Sequence, residues 1–451
     1  MKDRTMDKTT NEALDLLLLD GQVLLGPERL EETSIAIRGG EIVGLGVSRE
    51  TSAREVVSAR GLTVMPGVLD TQVHFREPGF PEKETLADGM RAAALGGVVG
   101  VFEMPNTRPP TTDAAALEDK LSRVAGRAYT DYAFYVGATP DNLTTLGDLE
   151  LLDGVAGVKL FMGSSTGGLL VSGDDEIFAA LRSGKRRMAI HSEDESRLRS
   201  RRSLVEGSGD VSLHPEWRDV ETARLATERV TGLALRAGRA VHVLHVTTAD
   251  ELEILAAAKP LVSAEVTPQH LTLTAPDCYE RLGTLAQMNP PIRDARHCEA
   301  LWRGVREGVL DVIGSDHAPH TLAEKGGEYP ATPSGMPGVQ TLLPLMLDHV
   351  SRGRLSLWRL SEMVSLNPAR LFGMRGCGAI SVGRRADLTL VDLGRREVIS
   401  KDWLSYRCGW SPFEGVSVTG WPVMSVLRGR VLLREGELSG APFGEAFRFG
   451  G

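Results

Sequence analysis

The segment Asp70–Arg76, DTQVHFR, ends an apolar run in polar side chains at alternate positions. On a strand, Gln72, His74 and Arg76 share one face. An imidazole beside a guanidinium can hold a cation and an anion side by side. Comparable endings recur along the chain: Asn106 after VVGVFEMP, Lys159 within GVKLFM, His191 closing RMAIH, His245 in AVHVLHV, and Asp316, His317 and His320 in GSDHAPH. Five of the ten histidines, His74, His191, His245, His317 and His320, fall at such endings.

Taken singly, each residue has a plain structural reading: a hydrogen-bonded histidine, a salt-bridged core lysine, an aspartate capping a helix. Arg76 could pair with Glu77, and Asn106 could punctuate a turn. Those readings would all have to hold at once on six strands, a coincidence that one shared site removes. His214, His242, His297 and His349 lie outside the pattern and are read as structural. Gln269 and His270, in VTPQHL, stand between the two groups.

Three imidazoles and a carboxylate around a point suit Zn²⁺ or a similar divalent ion. A desolvated lysine near cations favours its neutral amine, which can take up CO₂ to give a carbamate, an anionic bridging ligand. A metal-bound hydroxide formed near neutral pH can attack an amide carbonyl. Asp316 is then placed to take the proton and deliver it to the leaving nitrogen. Gln72 is the weak member of this set, a poor ligand where an imidazole would be stronger.

Eight apolar runs must position these residues: 67–74, 98–105, 130–138, 157–162, 187–193, 240–246, 261–268 and 310–316, with helix-compatible segments between them. Near-continuous apolar strands alternating with helices predict a (β/α)₈ TIM barrel, whose active site lies at the C-terminal strand ends. A doubly wound sheet would carry a Gly-rich phosphate turn after an early strand, and none is found. The ends read as hairpins, LDLLLLDGQVLL before the barrel and SVLRGRVLLREGEL after it. The expected division is 1–65 and 376–451 as two parts of a small β-sandwich domain, with the catalytic barrel at 66–375.

With 42% apolar and 25% charged residues, the composition is that of a soluble globular protein. A net charge of −9 without a dense basic run argues against nucleic-acid binding. Cys278, Cys298, Cys377 and Cys408 are scattered and read as reduced thiols of a cytoplasmic protein. The N-terminal MKDRTMDKTTNEA has no apolar core, so it is not read as a signal peptide, and no run is long enough to span a membrane. A homodimer is the commonest arrangement for such a chain.

The motifs DTQVHFREPG, GGVVGVFEMPNTRPPT, HSED, HVTT, AEVTPQHLTL, QMNPPIR, GSDHAPH and CGWSPFEG together resemble the amidohydrolase superfamily, and within it the dihydroorotases. The resemblance covers nearly the whole chain. It implies reversible cyclisation of N-carbamoyl-L-aspartate to L-dihydroorotate, a step of pyrimidine biosynthesis. His74, His191, His245 and Asp316 match metal ligands, Lys159 the carbamylated bridging lysine, and Asp316 also the general base and acid. Arg76, Asn106 and His320 match groups holding the substrate carboxylate, and Asn289 a residue lining the pyrimidine site. GGEYPATPSGMPG resembles a loop closing over the ring. A guanidinium fork is independently the preferred partner of a carboxylate.

Two positions depart from the family pattern. Gln72 stands where an H-x-H pair is usual, and Gln269 where TPHHL is usual. One or two zinc ions per chain are expected, with the site at Gln72 weakened. Two other readings stay open. One is a hydantoinase, dihydropyrimidinase or allantoinase acting on a neutral ring; the other is a catalytically silent relative serving as a structural subunit.

Overall fold

The computed structural model describes residues 13–165 and 169–450. The N-terminal stretch MKDRTMDKTTNE, expected not to be a leader, lies outside the described residues.

Eight parallel strands, Val68–Val73, Val98–Glu103, Asp131–Gly137, Val155–Phe161, Met188–His191, Val241–Val243, Val262–Val266 and Val312–Ile313, pair in sequence order. All eight are buried along their length, as expected of strands covered on one face by helices and on the other by the barrel interior. The eighth strand has only two paired residues. Side chain and backbone together close the ring. Asp70 Oδ1 accepts the amides of Ser315 at 3.0 Å and Gln72 at 3.2 Å, and His74 N donates to His317 O at 2.7 Å. Burial pushes the Asp70 carboxyl up to about 7 against the pull of these hydrogen bonds.

The first strand is held from outside by the helix Leu86–Leu95. Thr85 caps that helix in a capping box with Asp88, satisfying amides that would otherwise lack partners. Gly89 lies where a Cβ would come within 2.1 Å of the Phe75 ring. A glycine here lets the helix approach the backbone between His74 and Arg76.

A second, mostly antiparallel sheet takes strands from both chain ends. Its order is Glu437–Leu438, Arg430–Arg434, Ser417–Leu427, Leu388–Val398, Thr63–Pro66, Leu14–Gly26, Arg29–Arg38 and Glu41–Leu45, with Ala53–Ser58 alongside Leu14–Gly26. The N- and C-terminal segments thus meet in one sheet. Thr63–Pro66 is the link, pairing with both ends and running through Gly67 into the first barrel strand. The segment LWRLSEMVSLNPARLFGM is helical from Leu357 to Leu371 with one wider π turn at Glu362–Leu366. Among the described residues no helix is long and apolar enough to cross a membrane.

Candidate active site

At the C-terminal strand ends lies a cavity lined by Gln72, His74, Arg76, Asn106, Lys159, His191, His245, Asn289 and Asp316, with Ser334 and Gly335 from the 326–338 segment. Of the strand-end residues singled out from the sequence, and Asn289 with them, all line it except His317 and His320. His317 turns away: its Nε2 hydrogen-bonds buried Glu84, and its Nδ1 accepts Gly338 N at 3.0 Å. His320 sits behind Arg76, 3.1 Å from Nη2, and accepts Lys83 Nζ on Nδ1 at 3.2 Å.

Two cavity residues carry backbone strain. His245 and Asp316 have φ of 38° and 45°, in the left-handed region that non-glycine residues seldom occupy. Each such residue costs on the order of 1–3 kcal/mol, and such outliers cluster at functional sites. The strain turns both side chains off their strands into the cavity.

Among the described residues no three His, Cys, Asp or Glu side chains converge as a finished ligand set; the donors face one another in pairs. His74 Nδ1 lies 2.7 Å from Asn106 Oδ1, and Nε2 lies 3.1 Å from Asp316 Oδ1. Burial lowers the His74 pKa, so the ring is neutral with one proton. A proton on Nδ1 serves Asn106 and leaves the Nε2 lone pair pointed at a carboxylate oxygen.

The second pair repeats the arrangement. His191 Nε2 donates to Glu193 Oε2 at 2.9 Å, leaving Nδ1 facing His245 Nε2 at 3.0 Å. Burial also holds both these imidazoles down, His245 well below its usual value. His245 Nδ1 is buried with no partner. A lone pair set against a carboxylate oxygen and an imidazole nitrogen left without a partner are what a cation would satisfy, so the donor set fits a divalent metal.

Lys159 completes the group. It is 1% exposed, and its Nζ has no hydrogen-bond partner among the described residues, only the Phe161 ring at 4.4 Å. Burial lowers it to about 7, against the attraction of Asp316 and Glu265. Gln72 Nε2 donates to Asp316 Oδ1 at 2.8 Å, and its buried Oε1 has no partner. Gln269, the other departure, faces away from the cavity and donates to Ser315 O at 2.8 Å, bracing the residue before Asp316.

Arg76 is 4% exposed. Its Nε donates to Pro319 O at 2.9 Å, and among the described residues no carboxylate lies within ion-pair distance. Burial lowers its pKa only to about 10, so it stays charged at neutral pH. The 326–338 segment is clamped over the cavity. Gln287 Nε2 donates to Thr332 O and Ser334 Oγ at 3.0 Å, and Lys325 Nζ donates to Gln287 O, Pro333 O and Gly335 O at 3.0–3.1 Å.

Sequence reading missed Glu193 and Arg218. Burial opposes the Glu193 charge, but the Arg218 guanidinium and the His191 hydrogen bond outweigh it and hold the carboxyl well below the usual range. Glu193 was findable, two residues beyond His191 on the same face; Arg218, on a distant loop, was not.

The amidohydrolase family model matches residues 63–432. A dihydroorotase from Methanosarcina mazei is 36% identical, covering 92% of this chain and 93% of its own. An allantoinase from Rubrobacter xylanophilus is 34% identical over 97% of this chain and 98% of its own. The solved L-hydantoinase from Arthrobacter aurescens superposes with a TM-score of 0.92 at 29% identity, covering 96% of this chain and all of that one. By sequence, by barrel and by this cavity, the chain belongs to the amidohydrolase family of hydrolytic enzymes.

Proposed function

We propose that the protein is a dihydroorotase, interconverting L-dihydroorotate and N-carbamoyl-L-aspartate. Arg76 carries this reading. A buried guanidinium without an anionic partner calls for an anionic ligand, and a planar fork is suited to a carboxylate. Asn106 lines the same cavity, so the two would hold the ring carboxylate. Neutral-ring hydrolysis is the second reading, favoured by the similarity to the L-hydantoinase and the allantoinase. A neutral ring would leave Arg76 unmatched.

Membership of the family implies a metal cofactor. His74, Lys159, His191, His245 and Asp316 would hold it, and zinc suits their mixed nitrogen and oxygen donors. When bound, such an ion polarises an amide carbonyl and makes water a better nucleophile. The low pKa of Lys159 favours the neutral amine that CO₂ would convert to a carbamate, an anionic group that would join the ligands of one or two ions. Gln72, whose oxygen lacks a partner, would weaken one of them.

In ring opening, water attacks the ring amide carbonyl and the carbon–nitrogen bond breaks. Asp316 takes the proton of the attacking water and returns it to the departing ring nitrogen. Arg76 and Asn106 fix the ring at its carboxylate, and the clamped 326–338 segment excludes bulk water. Assaying metal-loaded protein on dihydroorotate, a hydantoin and allantoin tests the reading. Dihydroorotate should be opened fastest. Preferential opening of a neutral ring would overturn the assignment, and no turnover of any ring would leave the silent-subunit reading.

A further inference from the structure

His214 is a histidine that the strand-end pattern leaves out, and it is fully buried at the start of the short helix His214–Trp217. Its Nε2 lies 3.0 Å from Met288 O and 3.0 Å from Asn289 Oδ1, while Nδ1 lies 3.2 Å from the Tyr329 hydroxyl. Burial, reinforced by Arg218, lowers its pKa to about 3, so the ring is neutral and carries one proton.

The Met288 carbonyl can only accept, so that proton resides on Nε2. A donor on Nε2 must meet Asn289 through its carbonyl oxygen. Nδ1 is left with a lone pair, which accepts from the Tyr329 hydroxyl. The Asn289 amide is thereby fixed in one of its two orientations, with its NH₂ group available to the cavity that Asn289 lines. Among the described residues that nitrogen has no hydrogen-bond partner. An NH₂ group reads an acceptor, the carbonyl oxygen of a cyclic ureide, and disfavours a ring that presents N–H at that place.

We infer that His214 and Tyr329 are positioning residues that set the Asn289 amide to read a ring carbonyl. The inference rests on the cyclic-ureide reading of the site. Because Tyr329 belongs to the 326–338 segment, docking of that segment and the orientation of the reading group are linked. With the segment displaced, Nδ1 loses its donor and the imidazole one of the contacts that hold it against Asn289.

The test uses metal-loaded full-length protein, with calorimetric titration of the unreactive ring uracil-6-carboxylate alongside steady-state kinetics. His214→Leu should weaken binding and raise KM by about tenfold, the scale of one hydrogen bond to a ligand, with kcat changed less than threefold. His214→Gln, which keeps an N–H near the Nε2 position, should restore most of the loss. Tyr329→Phe, which removes only the hydroxyl, should give a smaller loss in the same direction. In an Asn289→Ala background neither His214→Leu nor Tyr329→Phe should weaken binding further, since both act through Asn289. Losses that multiply with Asn289→Ala, or undiminished binding in His214→Leu, would overturn the inference. If His214→Leu fails to fold, the Tyr329→Phe cycle decides alone. Wild-type protein that binds the probe with this coupling but opens no carboxylated ring would sink the dihydroorotase reading and leave this one standing.

Discussion

Glu193 Oε2 accepts the His191 Nε2 proton at 2.9 Å while Arg218 Nη2 holds the same oxygen at 2.5 Å. The carboxylate fixes which imidazole nitrogen is free for a metal, and the guanidinium keeps the carboxylate ionised. Partners of this kind typically account for 10–100-fold in metal affinity. Glu193→Gln should therefore weaken metal binding about 10–100-fold in competition with a chelator, while the fold by circular dichroism is unchanged. Wild-type affinity in the variant would contradict the role given to Glu193.

Asp316 is the proton carrier of the proposed reaction. Asp316→Asn should lower kcat by ~10²-fold or more, the usual scale for a positioned acid–base group. Near-normal turnover would refute that role.

Gln72 presents a single amide oxygen where an imidazole would be a stronger ligand. Gln72→His should raise the metal content per chain, read by elemental analysis after dialysis, without abolishing turnover. Two tightly held ions in the wild type would show that the glutamine weakens nothing.

His349 offers a test of pH linkage away from the site. Burial lowers its pKa to about 4, with Thr272 Oγ1 2.9 Å from Nε2 and the Trp302 ring 4.7 Å away. Above the unfolded value of about 6.5 both states are neutral and the group has no pH effect. As the pH falls towards 4, only the unfolded chain takes up the proton, so stability is lost. The loss at pH 5 is about 2 kcal/mol. In urea unfolding at pH 7.5 and pH 5, His349→Gln should lose less stability than wild type by about that amount. Equal losses would contradict the linkage.

The strands and their ends were legible because burial imposes apolar continuity, and departures from it at His74, Lys159, His191, His245 and Asp316 stand out. What the pattern could not distinguish was direction at a strand end. His317 follows Asp316 immediately, and the left-handed turn at Asp316 sends the two side chains to different places, one into the cavity and one to Glu84. His320 shares its segment with the site yet lies behind Arg76. Residues acting from outside the barrel strands, such as Arg218 and His214, carry no periodic signal. Their roles come from contacts with Glu193 and Asn289, distant in sequence, and only the folded chain displays those. The N- and C-terminal strands were individually legible. Their union depends on Thr63–Pro66, four residues that pair with both ends and resemble any short apolar run.

The central claim is that Arg76 selects a ring bearing a carboxylate. Its most direct test is the ratio of kcat/KM for dihydroorotate over dihydrouracil, the same ring without the carboxylate, in wild type and in Arg76→Met. Removing one partner of a buried charged pair costs about 2–5 kcal/mol. The wild-type ratio should strongly favour dihydroorotate and collapse by ~10²-fold or more in the variant, through loss of dihydroorotate turnover alone. A wild type that prefers dihydrouracil, or a ratio that Arg76→Met leaves unchanged, would contradict the claim.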